Sequence, residues 1–321
     1  MRGWPLIKLL PQKTNLHFVK HARLAGVFSV VLCIAAIVSC FYPGLNMGID
    51  FRGGAVMDVT RSDGQALDLG AVRGAVSELG IGDVGVQGVD SPASALIRFQ
   101  VPENQEQTVI VQRVQGAVNE AVGSPVTYSG VSVVGSKVSG ELFTSGLLAL
   151  GVAIGLMFLY IWFRFEPQFG FGAVVGLLHD VILTFGLIVL FRMEFSLNMV
   201  AAVLTVIGYS MNDTVVVFDR LRENLRKYKT MPLRDVIDLS LNETLSRTII
   251  TGVTAVMVLA ALAVFGGEAL FGFSIALMFG IIIGTYSSIY VGAPIILLWG
   301  VKRGELTEDA KAIKLGAASR P

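Results

Sequence analysis

The sequence predicts an α-helical membrane protein with six transmembrane helices and an α+β, ferredoxin-like domain inserted between the first and second helices. Hydrophobic residues make up 53% of the 321 residues and charged residues only 15%, with a mean hydropathy of +0.68. Soluble domains carry about 25% charged residues. The apolar residues are concentrated in long charge-poor windows, and one polar stretch, residues 43–140, separates the first window from the others.

Six windows are long enough to cross a bilayer, because about 20 apolar residues span a hydrocarbon core of roughly 30 Å. They cover residues 24–42, 142–163, 171–191, 197–218, 248–265 and 271–298. This pattern excludes a soluble enzyme. The first window is less well explained as a cleaved signal ending near Cys40, because 23 residues precede it, which is long for the charged part of a signal peptide.

The basic residues are distributed unevenly between the two sides of the membrane. The segments 1–23, 219–247 and 299–321, together with Arg164, hold 18 of the 25 lysines and arginines. Because cytoplasmic segments carry the excess of Lys and Arg, both termini and the segment 219–247 are predicted to be cytoplasmic. The polar stretch 43–140 then lies on the opposite, periplasmic side.

The polar stretch alternates between strand-like and helix-like patterns. Strands are predicted over 55–60, 84–89, 95–101 and 125–134, and helices over 68–79, with Asp68 as its N-cap, and 103–122. The resulting order βαββαβ predicts a ferredoxin-like sandwich. The sequence leaves open whether this domain is a spacer or binds an extended polypeptide.

Residues 219–247 combine charged side chains with a periodic apolar pattern. Pro232 precedes Leu233, Val236, Ile237 and Leu241. This spacing predicts an amphipathic helix lying at the cytoplasmic membrane surface.

Ionisable and amide side chains inside the apolar windows are the candidate functional residues. They are His179 and Asp180 in the third window, Asn212 and Asp213 in the fourth, and Arg247 at the start of the fifth. A mid-span Asp or Arg costs roughly 2.5 to 3.5 kcal/mol, which indicates a role. Asp213 and Arg247 could form a structural ion pair, or Asp213 could take up and release a proton in a cycle. For His179, a hydrogen bond between helices is favoured over a proton relay.

Other sequence features carry less functional information. The chain has no ATP-binding loop and no metal-ligand cluster, so no bound cofactor is expected. The glycine pairs Gly151 and Gly155, and Gly280 and Gly284, place small residues on one helix face and predict close helix packing.

Several motifs resemble the SecD/SecF family of bacterial protein translocase subunits, over nearly the whole chain. The turn after the first window is similar to the family's G-x-D-F-x-G-G signature, and the fourth window resembles its SecF branch. The residues that carry the resemblance are Gly48, Asp50, Phe51, Gly53 and Gly54 in the turn, and 208–213, 219–224, 164–166, 179–180, 247–248, 265–267, 272–273 and 284–290 elsewhere.

This resemblance implies half of a resistance-nodulation-division type bundle in the inner membrane. It implies a non-enzymatic subunit that works with SecD and the SecYEG channel, and with YajC and YidC, on a translocating preprotein. Nucleic acid is not an expected partner. The energy source would be the proton motive force, with Asp213 in the proton pathway, Arg247 as its partner and Asn212 beside them; His179 and Asp180 are weaker candidates.

Two other functions remain open from the sequence. A half-exporter of lipids or small molecules in the same superfamily would need a substrate-sized apolar pocket in its soluble domain. A passive scaffold that holds translocase subunits together would tolerate neutral substitutions of Asp213 and Arg247.

Overall fold

The computed structural model describes residues 14–82, 84–89, 91–101 and 106–300. The predicted cytoplasmic N-terminal segment is therefore described only from residue 14 and the predicted tail only to residue 300, and the first turn of the helix predicted from residue 103 lies largely outside the described residues. The elements are, in chain order, α1 (Phe18–Ser39), β1 (Asn46–Met47), α2 (Ile49–Arg52), β2 (Gly54–Arg61), α3 (Leu69–Ser77), β3 (Val84–Val89), β4 (Ser91–Phe99), α4 (Gln107–Val122), β5 (Val126–Val134), α5 (Ser136–Arg164), α6 (Pro167–Leu190), β6 (Glu194–Phe195), α7 (Leu197–Lys227), α8 (Leu233–Phe265), α9 (Glu268–Ser287) and α10 (Ala293–Trp299).

Six helical segments of the described chain are long and apolar enough to cross a membrane, which confirms the predicted number. They are built on α1, α5, α6, α7 and α8, and on a sixth segment that joins α9 to α10 through a π-helical turn, Ser288–Gly292. About half of the apolar stretch of α6 and of α7 is buried within the chain, against 6% of that of α5. The outer face of α5 must therefore meet lipid or another protein.

The polar stretch forms the predicted α+β sandwich. Its four antiparallel strands lie in the order β3-β4-β2-β5, which is the ferredoxin-like arrangement of a βαββαβ chain. Helices α3 and α4 pack on the sheet, and Met57, Ile97 and Val114 are fully buried between these layers. Asp68 caps α3 as predicted, because its Oδ1 accepts from the backbone amides of Gly70 and Ala71.

The prediction of a separate amphipathic helix at the membrane surface is wrong. The segment 219–247 instead consists of the end of α7 and the beginning of α8, which runs without a break from Leu233 to Phe265. Its apolar residues Val236, Ile237 and Leu241 are buried in a core cluster with Leu221 of α7. The periodic pattern therefore reflects a contact with protein and not with lipid.

Close approach of α9 to α7 depends on glycine. A Cβ atom added at Gly280 would lie 2.2 Å from Val206 Cγ2, and one added at Gly284 would lie 3.1 Å from Ser210 Cβ. This pair of glycines therefore packs α9 directly on α7, as small residues do in membranes. Gly151 has no described neighbour within 4 Å of such an atom.

Candidate functional site

Asp213 lies near the middle of α7, where α7, α8 and the sixth segment meet. Its side chain is 9% exposed. Oδ1 accepts a hydrogen bond from Thr248 Oγ1 of α8 at 2.6 Å, and Oδ2 accepts one from Ser288 Oγ at 2.9 Å. Two neutral hydroxyls from two other spans therefore hold this carboxylate.

A small polar cavity of about 50 Å³ adjoins Asp213. Asn212 and Arg247, the two predicted companions of the aspartate, both line the cavity. The full lining consists of Tyr209, Asn212, Asp213, Val216, Arg247, Thr248, Thr251 and Thr285. A polar cavity of this size can hold a few water molecules. Tyr209 Oη is buried and has no hydrogen-bond partner among the described residues, so such water would also satisfy it.

Arg247 shares this cavity with Asp213 but is not ion-paired with it. Within the described chain, no nitrogen of Arg247 lies within 4.0 Å of a carboxylate oxygen, and both Arg247 and Asn212 are exposed. Arg247 and Asp213 therefore line one cavity without a direct ion pair between them.

A second carboxylate, Asp180 of α6, is fully buried beside the first cluster. Its Oδ1 lies 2.8 Å from His179 Nδ1, and its Oδ2 accepts hydrogen bonds from Ser210 Oγ at 2.5 Å and Ser287 Oγ at 2.7 Å. His179 also stacks on the ring of Tyr286. Both members of the His179–Asp180 pair thus face the bundle interior, which adjacent positions on a helix rarely do.

Sequence reasoning missed Ser287 and Ser288. Ser287 donates to Asp180, and the adjacent Ser288 donates to Asp213. The π-helical turn begins at Ser288. π-helical turns are found frequently at functional sites. The available signal was the run of hydroxyl-bearing residues 285–288 in an otherwise apolar window.

The predicted signature turn joins the first span to the α+β domain and docks on the connection between α6 and α7. Strand β1 pairs with β6 in parallel, and the backbone amide of Gly48 donates to the carbonyl of Phe195 at 2.9 Å. A Cβ atom at Gly48 would lie 2.7 Å from Glu194 Oε1 and 3.2 Å from the carbonyl oxygen of Phe195, so a larger residue would have to displace the Glu194 side chain. Asp50 Oδ2 accepts from the backbone amide of Leu197, the first residue of α7.

The remaining signature residues fix the turn between membrane and domain. The ring of Phe51 packs on Phe143 and Phe195, with centroids 5.7 and 5.6 Å away. Gly53 and Gly54 both have positive φ angles, and a Cβ at Gly54 would lie 2.6 Å from the carbonyl oxygen of Phe99. The turn therefore enters strand β2 in a conformation that side chains would prevent.

Two family models match the chain. The model described as protein export membrane protein SecD/SecF, C-terminal, matches residues 114–302, and the SecD/SecF GG motif matches residues 38–62. The chain belongs to the SecD/SecF family. The larger match contains Asp180, Asp213 and Arg247, and the smaller one contains the whole signature turn.

Curated SecD/SecF relatives named protein translocase subunit SecF align with nearly the entire chain. The relative from Cereibacter sphaeroides is 47% identical, covering 95% of this chain and 96% of its own length. The relative from Rhodobacter capsulatus is 43% identical, covering 94% of each, and that from Rickettsia rickettsii is 42% identical, covering 93% and 96%.

Solved SecDF structures share the fold. The crystal structure of SecDF, described as a translocon-associated membrane protein from Thermus thermophilus, superposes with a TM-score of 0.78 at 30% identity, covering 91% of this chain and 39% of that one. A SecDF structure in a super-membrane-facing form has a TM-score of 0.64 at 27% identity, covering 98% and 41%. The chain thus spans about two-fifths of the length of these SecDF chains.

Proposed function

We propose that this chain is a SecF-like subunit of the Sec preprotein translocase, and that it uses the proton motive force to complete translocation after the SecA and SecYEG steps. The observation that carries the proposal is the state of Asp213, a carboxylate buried near the middle of a span and held by two hydroxyls instead of a cation. It is placed to gain and lose a proton.

The surroundings of Asp213 favour exchange over a fixed structural role. A buried charge without a counter-ion is costly, whereas a neutral carboxyl group held by hydroxyls is not. Arg247 lines the same cavity without contact, so it can approach when Asp213 is charged and withdraw when it is protonated. One charge crossing 100 mV is worth about 2.3 kcal/mol. This energy is enough to bias the equilibrium between the state with Arg247 close to Asp213 and the state with Arg247 withdrawn.

A partner should cover the face that carries Asn212 and Arg247. Both side chains are exposed on α7 and α8 beside the buried Asp213, where contact with lipid would be unfavourable. The SecDF chains are about two and a half times as long as their match to this chain, which supports a separate SecD chain as that partner. By the same family relationship we propose SecYEG, YajC and YidC as further partners and a preprotein as substrate.

The proposed location is the inner membrane, with both termini cytoplasmic and the α+β domain periplasmic. The distribution of basic residues supports this orientation. The signature turn would then transmit the cycle, because it links α7, which carries Asp213, to the first strand of the domain that would meet the preprotein.

Proton flux in reconstituted vesicles tests this function. The full chain is co-reconstituted with SecD and SecYEG, and flux down an imposed pH gradient is followed with a pH-sensitive dye while a precursor is engaged. We expect Asp213→Asn to abolish the precursor-dependent flux and Asp63→Asn, an exposed carboxylate in the domain, to leave it unchanged. Equal flux in both variants would reject proton coupling through Asp213 and favour the passive scaffold.

A further inference from the structure

A second buried group in the bundle needs a proton or a counter-charge. Asp180 is fully buried, and within the described chain the only ionisable side chain in ion-pair contact with it is His179. Its other partners are the hydroxyls of Ser210 and Ser287. Because a buried carboxylate without a counter-charge is unfavourable, a proton bound within this pair would stabilise it.

The second ring nitrogen of His179 is available to hold a proton. The His179 ring is 5% exposed, and its Nε2 atom is buried without a hydrogen-bond partner among the described residues. Titratable side chains on the neighbouring helices include Tyr286 of α9, which stacks on the ring, and Cys33, which is partly buried on α1, a helix that packs on α6. From α7 the facing group is Ser210, which does not titrate.

Two adjacent serines connect Asp180 to Asp213. Each hydroxyl has two acceptors in reach: Ser287 Oγ can donate to Asp180 at 2.7 Å or to the carbonyl of Gly284 at 3.1 Å, and Ser288 Oγ to Asp213 at 2.9 Å or to the carbonyl of Thr285 at 3.0 Å. A hydroxyl has one proton to donate. Protonation of the Oδ2 atom that a serine contacts would therefore weaken that bond and favour the backbone acceptor.

We propose that the His179–Asp180 pair is a second proton-binding site, and that Ser287 and Ser288 link its occupancy to that of Asp213. This inference rests on the proposed function, because it assumes that Asp213 exchanges a proton and adds a second site coupled to it. Serine back-bonding to the preceding helical turn bends helices, and here the turn in question leads directly into the π-helical segment. Loading of one site thus changes the position of the serine that serves the other.

The second site also contacts the first span. Tyr286, which stacks on His179, donates through its Oη to the carbonyl of Ala25 and lies 2.9 Å from Ser29 Oγ. These residues belong to α1, which leads into the signature turn. A change at the His179–Asp180 pair is therefore transmitted to α1, whereas a change at Asp213 acts through α7.

Infrared difference spectroscopy during pH titration of the full chain, purified in nanodiscs with SecD, tests the proposal. We expect two titrating carboxyl bands from the bundle, each in the protonated or the ionised region of the spectrum, one absent in Asp180→Asn and the other in Asp213→Asn. Because coupling between sites is typically fivefold or more in affinity, each single variant should shift the midpoint of the remaining band by about 0.7 pH units or more. Ser287→Ala should weaken this dependence, while Thr254→Ala, which removes a hydroxyl bonded only within α8, should not.

The possible results separate this proposal from the proposed function. If Asp180→Asn folds, as judged by circular dichroism, and removes no titrating band, the second site does not exist. Should it fail to fold, Asp180→Glu replaces it, and an unchanged position and midpoint of every band would equally overturn the proposal. Unchanged midpoints in all single variants would reject the linkage. Failure of the proposed function would instead appear as unaltered proton flux in Asp213→Asn.

Discussion

The carboxylate of Asp50 accepts a hydrogen bond from the backbone amide of Leu197 at 2.8 Å. Asp50 belongs to the signature turn below the α+β domain, and Leu197 is the first residue of α7. Ser196, the N-cap residue of α7, provides no side-chain cap of its own. A side chain from the base of the domain thus completes the helix that carries Asp213, and it also places a negative charge at the positive end of that helix.

Replacing Asp50 should weaken this connection. Loss of a capping side chain costs about 1 kcal/mol, so Asp50→Ala should lower the thermal stability of the purified chain modestly and slow precursor export more strongly. Asp50→Asn, which can still accept the hydrogen bond, should retain most of the thermal stability and most of the export rate. Asp68→Ala is the matched control, because it removes a similar cap inside the domain and should leave export near normal. Equal export defects in Asp50→Ala and Asp68→Ala would contradict the special role of the turn.

An ion pair joins the domain to the α6–α7 connection on which the signature turn docks. Arg98 of β4 contacts Glu194 of β6, and both side chains are about a quarter exposed. Such a pair contributes at most about 1 kcal/mol to stability, so Arg98→Ala should barely change the melting temperature. We expect it to slow export, because the contact connects a domain strand to the α6–α7 connection. The exchanged pair Arg98→Glu with Glu194→Arg should restore export; no restoration would mean that the charges act separately.

Packing of α9 on α7 can be tested at one glycine. Gly280→Ala places a Cβ against Val206, and such overpacking typically costs 1–3 kcal/mol. It should also move Ser287 and Ser288 away from their carboxylates and reduce export. Gly151→Ala in α5, where no described atom lies within 4 Å, should be neutral or slightly stabilising, because alanine favours the helix over glycine. Thermal unfolding in detergent compares the Gly280→Ala and Gly151→Ala variants. Equal stability would contradict the close contact between Gly280 and Val206.

The orientation predicts the behaviour of reporter fusions. Alkaline phosphatase, which folds only in the periplasm, should be active when fused within the α+β domain near residue 123 and inactive when fused near residue 230 between α7 and α8. The reverse result would invert the proposed topology and place the domain in the cytoplasm. A fusion of a cytoplasmic fluorescent reporter at the same two sites provides the complementary readout.

Hydropathy and periodicity predicted most of the fold because each depends on local sequence. The six spans follow from apolar length, and the βαββαβ order follows from alternation and the cap at Asp68. The separate surface helix was wrong because periodicity shows that one face is apolar without showing what covers it; Val236 and Ile237 pack on α7 and its neighbours. A local signal cannot distinguish lipid from protein.

The candidate site was predictable in its charged members only. Asp180 and Asp213 are conspicuous because a carboxylate in a span is costly. Ser287 and Ser288 are not, since hydroxyl side chains are inexpensive there and their acceptors depend on the rotation of three helices. The separation of Arg247 from Asp213 is likewise a property of helix rotation, which composition does not encode.

The most direct test of proton-coupled export is the rate at which a secretory precursor matures in cells that contain only the Asp213→Asn chain, measured by pulse-chase after depletion of the native subunit. Asp219→Asn, which removes a carboxylate from the C-terminal third of the same helix, provides the control. At equal protein level and equal association with SecD, we expect Asp213→Asn to mature the precursor as slowly as depleted cells and Asp219→Asn to mature it nearly normally. Normal maturation with Asp213→Asn would contradict the account and reduce this aspartate to a structural residue.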